Sequence, residues 1–212
     1  MKMESRSIWR GCWADHMKVV HYYDKAFMPL RSITEELSAE LAERLSLQSG
    51  KAFGRFRNLE WYVNARRETE EWLLESFTAK GGNPQTRYPR YFVLGESAEL
   101  EKNFGANAGR IVLEWENLDP QDISITLDDS MKIHVSGLER RVYTKNELND
   151  YAISNYGSLE ALVKQKQEAG EFVEVQVWNL QKWWRDCLVK VDATINLHDI
   201  EKGVLPKTMD LI

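Results

Sequence analysis

The chain has 212 residues, 43% hydrophobic and 29% charged, with a formal net charge of −5. This is the composition of an ordinary folded protein, and it excludes a low-complexity chain and a global basic footprint for nucleic acid. Two cysteines, Cys12 and Cys187, make no disulfide scaffold, and no apolar run reaches the length of a membrane span.

The N-terminal stretch MKMESRSIWRG is charged and lacks the apolar core of a signal peptide. With so few thiols, the expectation is a cytoplasmic protein in a reducing compartment. The first element is MKVVHYY, a strand in which Val19 and Val20 lead into His21, Tyr22 and Tyr23. After Pro29 comes SITEELSAELAERLSL. Ile33, Leu37, Leu41 and Leu45 recur every four residues and predict one amphipathic helix, capped by Ser32 or Thr34. QSGKAFGRFRN reads as a basic, glycine-bearing loop.

NLEWYVNARRETEEWLLESFTAKGGNP gives the clearest helix, with Asn58 as its cap and Gly81, Gly82 and Pro84 at its end. Its apolar stripe runs through Leu59, Tyr62, Val63, Leu73 and Phe77. Arg66 and Glu70 interrupt that stripe and are spaced to pair with each other. YPRYFVLG is a strand closed by Gly95. GRIVLEWENL and DISITLDDSMKIHV are two further strand candidates, parted by the turn signal Asp119-Pro120. VYTKNELNDYAISNYG and SLEALVKQKQEAG read as helices, and FVEVQVW and CLVKVDATINL as the last strands.

Helices inserted after the first strand, with runs of strands on either side, predict an α+β fold built on mixed or antiparallel sheets. No linker is visible, so the whole chain, 1–212, is expected to form a single α+β domain. The first 95 residues carry a small basic excess and the remainder a larger acidic one.

FVEVQVW raises a chemical question. Side chains alternate across a strand, so Val173, Val175 and Val177 share one face, the expected core. Phe172, Glu174, Gln176 and Trp178 share the other, which places Glu174 on a solvent or pocket side. It is either a polar residue at a wet edge or a carboxylate held in a cleft.

Three short segments together resemble the ADP-ribosyltransferase superfamily, and most of all its DNA-modifying toxin branch. These are VVHYYD with the following PLRSI, PRYF at Pro89 to Phe92, and VEVQVW. The resemblance implies an ADP-ribosyltransferase-like fold, NAD as the substrate, and a His-Tyr-Glu set made of His21, Tyr91 and Glu174. It makes Glu174 the catalytic residue. His21 would hold the other ribose, Tyr22 beside it would also bind NAD, and Tyr91 would stack on the nicotinamide ring. Arg66, whose fork matches phosphate oxygens, is the candidate for the pyrophosphate. Two positions differ from the branch: Tyr22 stands where a threonine is usual, and Phe172 where glutamine or glutamate is frequent. The acceptor, nucleic acid or protein, stays open.

A second reading is a non-catalytic interaction factor, an inhibitor or a phage or defence accessory protein. In that reading Trp178, Trp183 and Trp184 form an exposed docking face. His16, His21, His134 and His198 show no metal spacing, and no metal site is expected, although Asp128, Asp129 and His134 lie close in sequence. In GRFRNLEWYVNARR, Phe56 or Trp61 could stack on bases while the arginines meet phosphates.

Overall fold

The computed structural model describes residues 17–25, 27, 29–30, 32–36, 39–47, 51–179 and 188–191. Cys12, His16, Leu37, Trp183, Trp184, Cys187 and His198 lie outside them. The elements in order are β1 (Lys18–Asp24), α1 (Ile33–Glu36), α2 (Ala39–Ser46), α3 (Leu59–Ala79), β2 (Arg90–Leu94), α4 (Ala98–Lys102), β3 (Ala108–Glu114), β4 (Ile123–Thr126), α5 (Ser130–Val135), α6 (Lys145–Tyr156), α7 (Leu159–Glu168), β5 (Glu174–Val177) and β6 (Leu188–Val191). This is an α+β architecture. The six strands form one sheet in the order β4-β5-β2-β1-β3-β6, and every neighbouring pair is antiparallel. Among the described residues no helix is long and apolar enough to cross a membrane.

The pleat divides the sheet into two unlike faces. On one, Val19 and Tyr23 of β1, Phe92 and Leu94 of β2, Ile111 and Leu113 of β3, Ile123 and Ile125 of β4, and Val175 and Val177 of β5 form a single cluster. Leu148 and Ala152 of α6 and Leu162 and Val163 of α7 close it. This is the valine face expected of β5. α6 begins at a capping box in which Thr144 and Glu147 satisfy each other's backbone N–H groups, and Ser158 caps α7. The other face carries Val20, Val93 and Val112, then Tyr91, Glu174, Gln176, Ser124 and Thr126. The register confirms that these share a face, with Tyr91 opposite Gln176 and Thr126 opposite Glu174.

α3 lies over this second face. Asn58 caps it by accepting the Trp61 N–H at 3.4 Å. Its buried positions, Tyr62, Val63, Ala65, Thr69, Glu70, Leu73 and Phe77, follow the helical period toward the sheet. Near the C-terminal end of α3, Phe77 stacks on Trp178, ring centroids 5.9 Å apart.

Three local expectations are corrected. The predicted single helix after Pro29 is present as two, α1 and α2; Ser32 does cap the first, accepting the Glu35 N–H at 3.2 Å. The basic loop contains a 3-10 turn, Lys51–Asn58. The strand predicted over DISITLDDSMKIHV ends at Thr126. Asp129 then accepts the Lys132 N–H at 3.0 Å and starts α5, so a local cap overrides the strand-like run of Met131, Ile133 and Val135. α4, capped by Ser97, was not anticipated.

Candidate active site

β1 and β2 pair at Val19↔Leu94 and Val20↔Val93 and at no later position. Beyond that point the strands part, and a cavity of about 520 Å³ opens on the α3 side. Its lining includes His21, Tyr22, Arg66, Glu70, Tyr91, Asp129 and Glu174. The structure therefore brings together all five residues singled out from the sequence, although not in equivalent roles.

His21 has the opposite pleat parity to Tyr22 and Tyr91. Its ring lies against Phe92, 5.4 Å between centroids, and stacks on Tyr23 at 6.0 Å. The Leu30 N–H donates to Nε2 at 3.3 Å, so Nε2 is the acceptor. Nδ1 therefore carries the hydrogen and donates to the Tyr91 carbonyl at 2.7 Å. The side chain thus bridges β1 to β2 beyond the point where their ladder stops. Burial is the main cause that lowers its pKa to about 4, and the nearby Arg90 adds to it against the Tyr91 hydrogen bond. Both nitrogens are engaged within the protein. A ribose hydroxyl at His21 would have to replace the long Leu30 contact, in a loop where Leu30 sits at φ 61°.

Tyr91, on β2, extends toward α3. Its hydroxyl donates to Glu70 Oε1 at 3.1 Å, and the Arg66 guanidinium carbon lies 3.7 Å from its ring centroid. One face of the ring is thus covered by Arg66. Burial raises the Tyr91 pKa well above its ordinary value. Arg66 Nε lies 3.4 Å from Glu70 Oε1, so the pair expected one helical turn apart exists, and it points inward as the stripe required. Burial opposes the Arg66 charge, but Tyr91, Tyr62, Glu174 and Glu70 more than offset it, and the group stays cationic. Burial raises the Glu70 pKa against the pull of Arg66. The Thr34 and Tyr91 hydroxyls also pull the Glu70 pKa down. Tyr22 stands on the cavity face of β1, its hydroxyl accepting the Ser97 N–H at 2.8 Å.

Of the two readings of Glu174, the wet edge is overturned, and the side chain lines the cavity as a buried carboxylate. It is 5% exposed, and Gln176 and Trp178 on the same face are fully buried. The carboxylate is roofed by Arg66 from α3 and by the start of α5. Its Oε1 accepts from the Ser130 N–H at 3.2 Å and from Gln176 Nε2 at 2.9 Å. Neither bond falls on Oε2, which is left to the cavity. Burial first, and Asp129 second, raise its pKa to about 7, while Arg66, Ser130 and Gln176 pull it down. A carboxylate with a midpoint near neutrality, in a lined cavity, is an arrangement suited to charge stabilisation or proton transfer.

Two other expectations change. Trp178 donates its indole N–H to Ser124 Oγ at 2.9 Å beneath α3, so it belongs to no exposed docking face. Phe56 is buried edge-on against Tyr62, which removes it as a base-stacking platform, whereas Trp61 is 52% exposed. Asp128 pairs with Lys132, Asp129 caps α5 and His134 faces Glu68. Among the described residues no three His, Cys, Asp or Glu side chains are grouped to hold a metal.

Sequence reasoning paired Glu70 with Arg66 but missed its bond to Tyr91, and it missed the roles of Asp129, Ser124 and Gln176. A signal for the last two was present: β4 reads Ile-Ser-Ile-Thr, with hydroxyls alternating against isoleucines, opposite a strand with Glu and Gln at the matching positions. No family model, no curated protein and no solved structure matches the chain.

Proposed function

We propose that this chain is an ADP-ribosyltransferase-like enzyme that cleaves NAD and transfers ADP-ribose to an acceptor. The observation that carries the reading is the placement of His21, Tyr91 and Glu174 on the adjacent strands β1, β2 and β5, around one cavity. The volume is within the range of small-molecule sites, roughly 300–1,000 Å³.

The reaction breaks the bond between the nicotinamide nitrogen and its ribose. The bonding pair leaves with the ring, which departs neutral, and positive charge develops on the sugar. Glu174 Oε2 faces the cavity and, when ionised, stabilises that cation from a largely buried position. The attacking acceptor must lose a proton, and a carboxylate titrating near 7 can accept it. Arg66 keeps its charge at every relevant pH and supplies a fork for phosphate oxygens. With one face of Tyr91 covered by Arg66, Tyr22 is the aromatic group better able to meet the nicotinamide ring. His21 serves by holding the Leu30 and Tyr91 backbones at the opening.

The test is nicotinamide release from NAD by purified protein, alone and with single-stranded DNA, RNA or protein acceptors. Release by wild type, reduced about a hundredfold or more in Glu174→Gln, supports the reading. No release with any acceptor, or equal release by the variant, refutes it.

A further inference from the structure

The polar face of β4 and β5 contains a hydrogen-bond chain with a fixed direction. Trp178 Nε1 donates to Ser124 Oγ at 2.9 Å, Ser124 donates to Gln176 Oε1 at 2.8 Å, and Gln176 Nε2 donates to Glu174 Oε1 at 2.9 Å. Ser124, Gln176 and Trp178 are each fully buried. An indole N–H only donates, so the Ser124 oxygen is the acceptor there, and its single hydrogen must go onward. That hydrogen meets the Gln176 carbonyl, which turns the amide nitrogen toward Glu174. The second amide hydrogen goes to Thr126 Oγ1 at 3.1 Å, and Thr126 passes its own to the Asp128 carbonyl at 2.8 Å. Every hydrogen in the set has one assigned acceptor.

The consequence falls on Glu174. Its Oε1 receives an N–H from Gln176 and another from the Ser130 backbone, so it has no room for a proton of its own. We infer that Trp178, Ser124 and Gln176 are positioning residues that fix Oε1 as a permanent acceptor. They thereby make Oε2, on the cavity side, the one oxygen of Glu174 that exchanges its proton and meets substrate. The inference rests on the proposed reading of Glu174 as the working carboxylate, but it concerns the orientation of that group and not the identity of the substrate. If the amide of Gln176 were reversed, its oxygen would face Oε1 and would favour protonation there, away from the cavity.

A purely space-filling role for these residues would not couple them to Glu174. The charged and titratable groups around Glu174 are Arg66 and Glu70 from α3, Asp129 and Lys132 at α5, and Tyr91 on β2. Its titration must therefore be read on its own side-chain carbon. The experiment is nuclear magnetic resonance on ligand-free, isotope-labelled protein between pH 5 and 9. In wild type the Gln176 side-chain amide signals are expected to move with the Glu174 midpoint. In Ser124→Ala the Gln176 carbonyl loses its donor and the amide is free to turn, so Glu174 should bind its proton about tenfold more tightly, a midpoint about one unit higher. Ser124→Thr, which keeps the hydroxyl, should restore it. Trp178→Phe, which keeps the ring stack and removes the donor, should shift the midpoint in the same direction as Ser124→Ala. Gln176 signals that ignore the Glu174 titration in wild type overturn the inference, whatever the variants do. So does an unchanged midpoint in a folded Ser124→Ala or Trp178→Phe protein. No NAD is present, so a wild type that releases no nicotinamide would sink the enzyme reading and leave this result to stand or fall separately.

Discussion

Replacing Glu174 by Gln tests what burial does to this carboxylate, independently of any activity. The folded protein raises its pKa from the ordinary 4.5 to about 7. Folded protein therefore holds the proton more tightly than unfolded chain does. The sign follows: the stability associated with this group is fully present below pH 4.5 and is lost as pH rises through about 7. At about 1.4 kcal/mol per pH unit, the loss at pH 8 is about 3 kcal/mol. Glutamine has the same shape and cannot ionise. Its Oε1 can still accept from Ser130 and Gln176, and its amide occupies the cavity-facing position.

Glu174→Gln should thus equal wild type in stability at pH 4.5 and exceed it by up to about 3 kcal/mol at pH 8. For a protein of this length that is a gain of about 6–12 °C in Tm. The assay is urea unfolding of both proteins at pH 4.5, 6, 7 and 8. Taking the difference between them cancels the other titrating groups. A variant less stable than wild type at pH 8, or an offset that does not change with pH, would refute the reasoning. It would mean that the ionised carboxylate is a structural anchor held by Arg66, with burial the lesser effect.

His21 should show the opposite slope. Its pKa falls from 6.5 to about 4, so its contribution is present above pH 6.5 and about 3 kcal/mol is lost as pH drops through 4; His21→Gln, able to donate to Tyr91 and accept from Leu30, should flatten the acid side of a stability profile measured by chemical denaturation. Arg66→Ala removes the cation from between Glu70 and Tyr91 and should cost about 3 kcal/mol at pH 8. Burial raises the Glu70 pKa, so the cost should shrink as pH falls and Glu70 sheds its charge; a melting-temperature loss that does not change with pH would contradict the pairing. Gly109→Ala places a Cβ 2.4 Å from Tyr23 Cζ, on the cross-strand neighbour of that glycine, and should cost about 1–3 kcal/mol in the same denaturation assay.

The parts legible in the sequence are those decided by local pattern. β1, β2, β5 and α3 could be read from period and caps, and Arg66 and Glu70 stood out because charges rarely interrupt an apolar stripe. The parity argument gave the two faces of β5 correctly. It could not say what would lie over the second face, because that depends on α3, about a hundred residues earlier in the chain. The same limit hid the state of His21, whose partners are 9 and 70 positions away. MKIHV was misread because its alternation fits a strand as well as a short helix, and the cap at Asp129 decides between them. Ser124 and Thr126 looked like ordinary strand residues, since their role appears only when β4 is set beside β5.

The two faces of the sheet explain why the protein tolerates such a site. Five strands, from β4 across to β3, place apolar side chains on the α6–α7 side, His21 excepted, and these join one buried cluster. The face under α3 is thereby released from the need to be hydrophobic. A carboxylate there opposes folding at neutral pH, and the same exclusion of water is what would strengthen its field on a developing cation. The donor-only indole of Trp178 lies at the far end of the hydrogen-bond chain, packed on Phe77, where its orientation is set by the ring stack. The direction of that chain is therefore fixed by the packed core, and Glu174 inherits it through Ser124 and Gln176. An acidic group whose orientation is set from behind, and which is left open at one oxygen in front, is better explained by what enters the cavity than by what holds the sheet together.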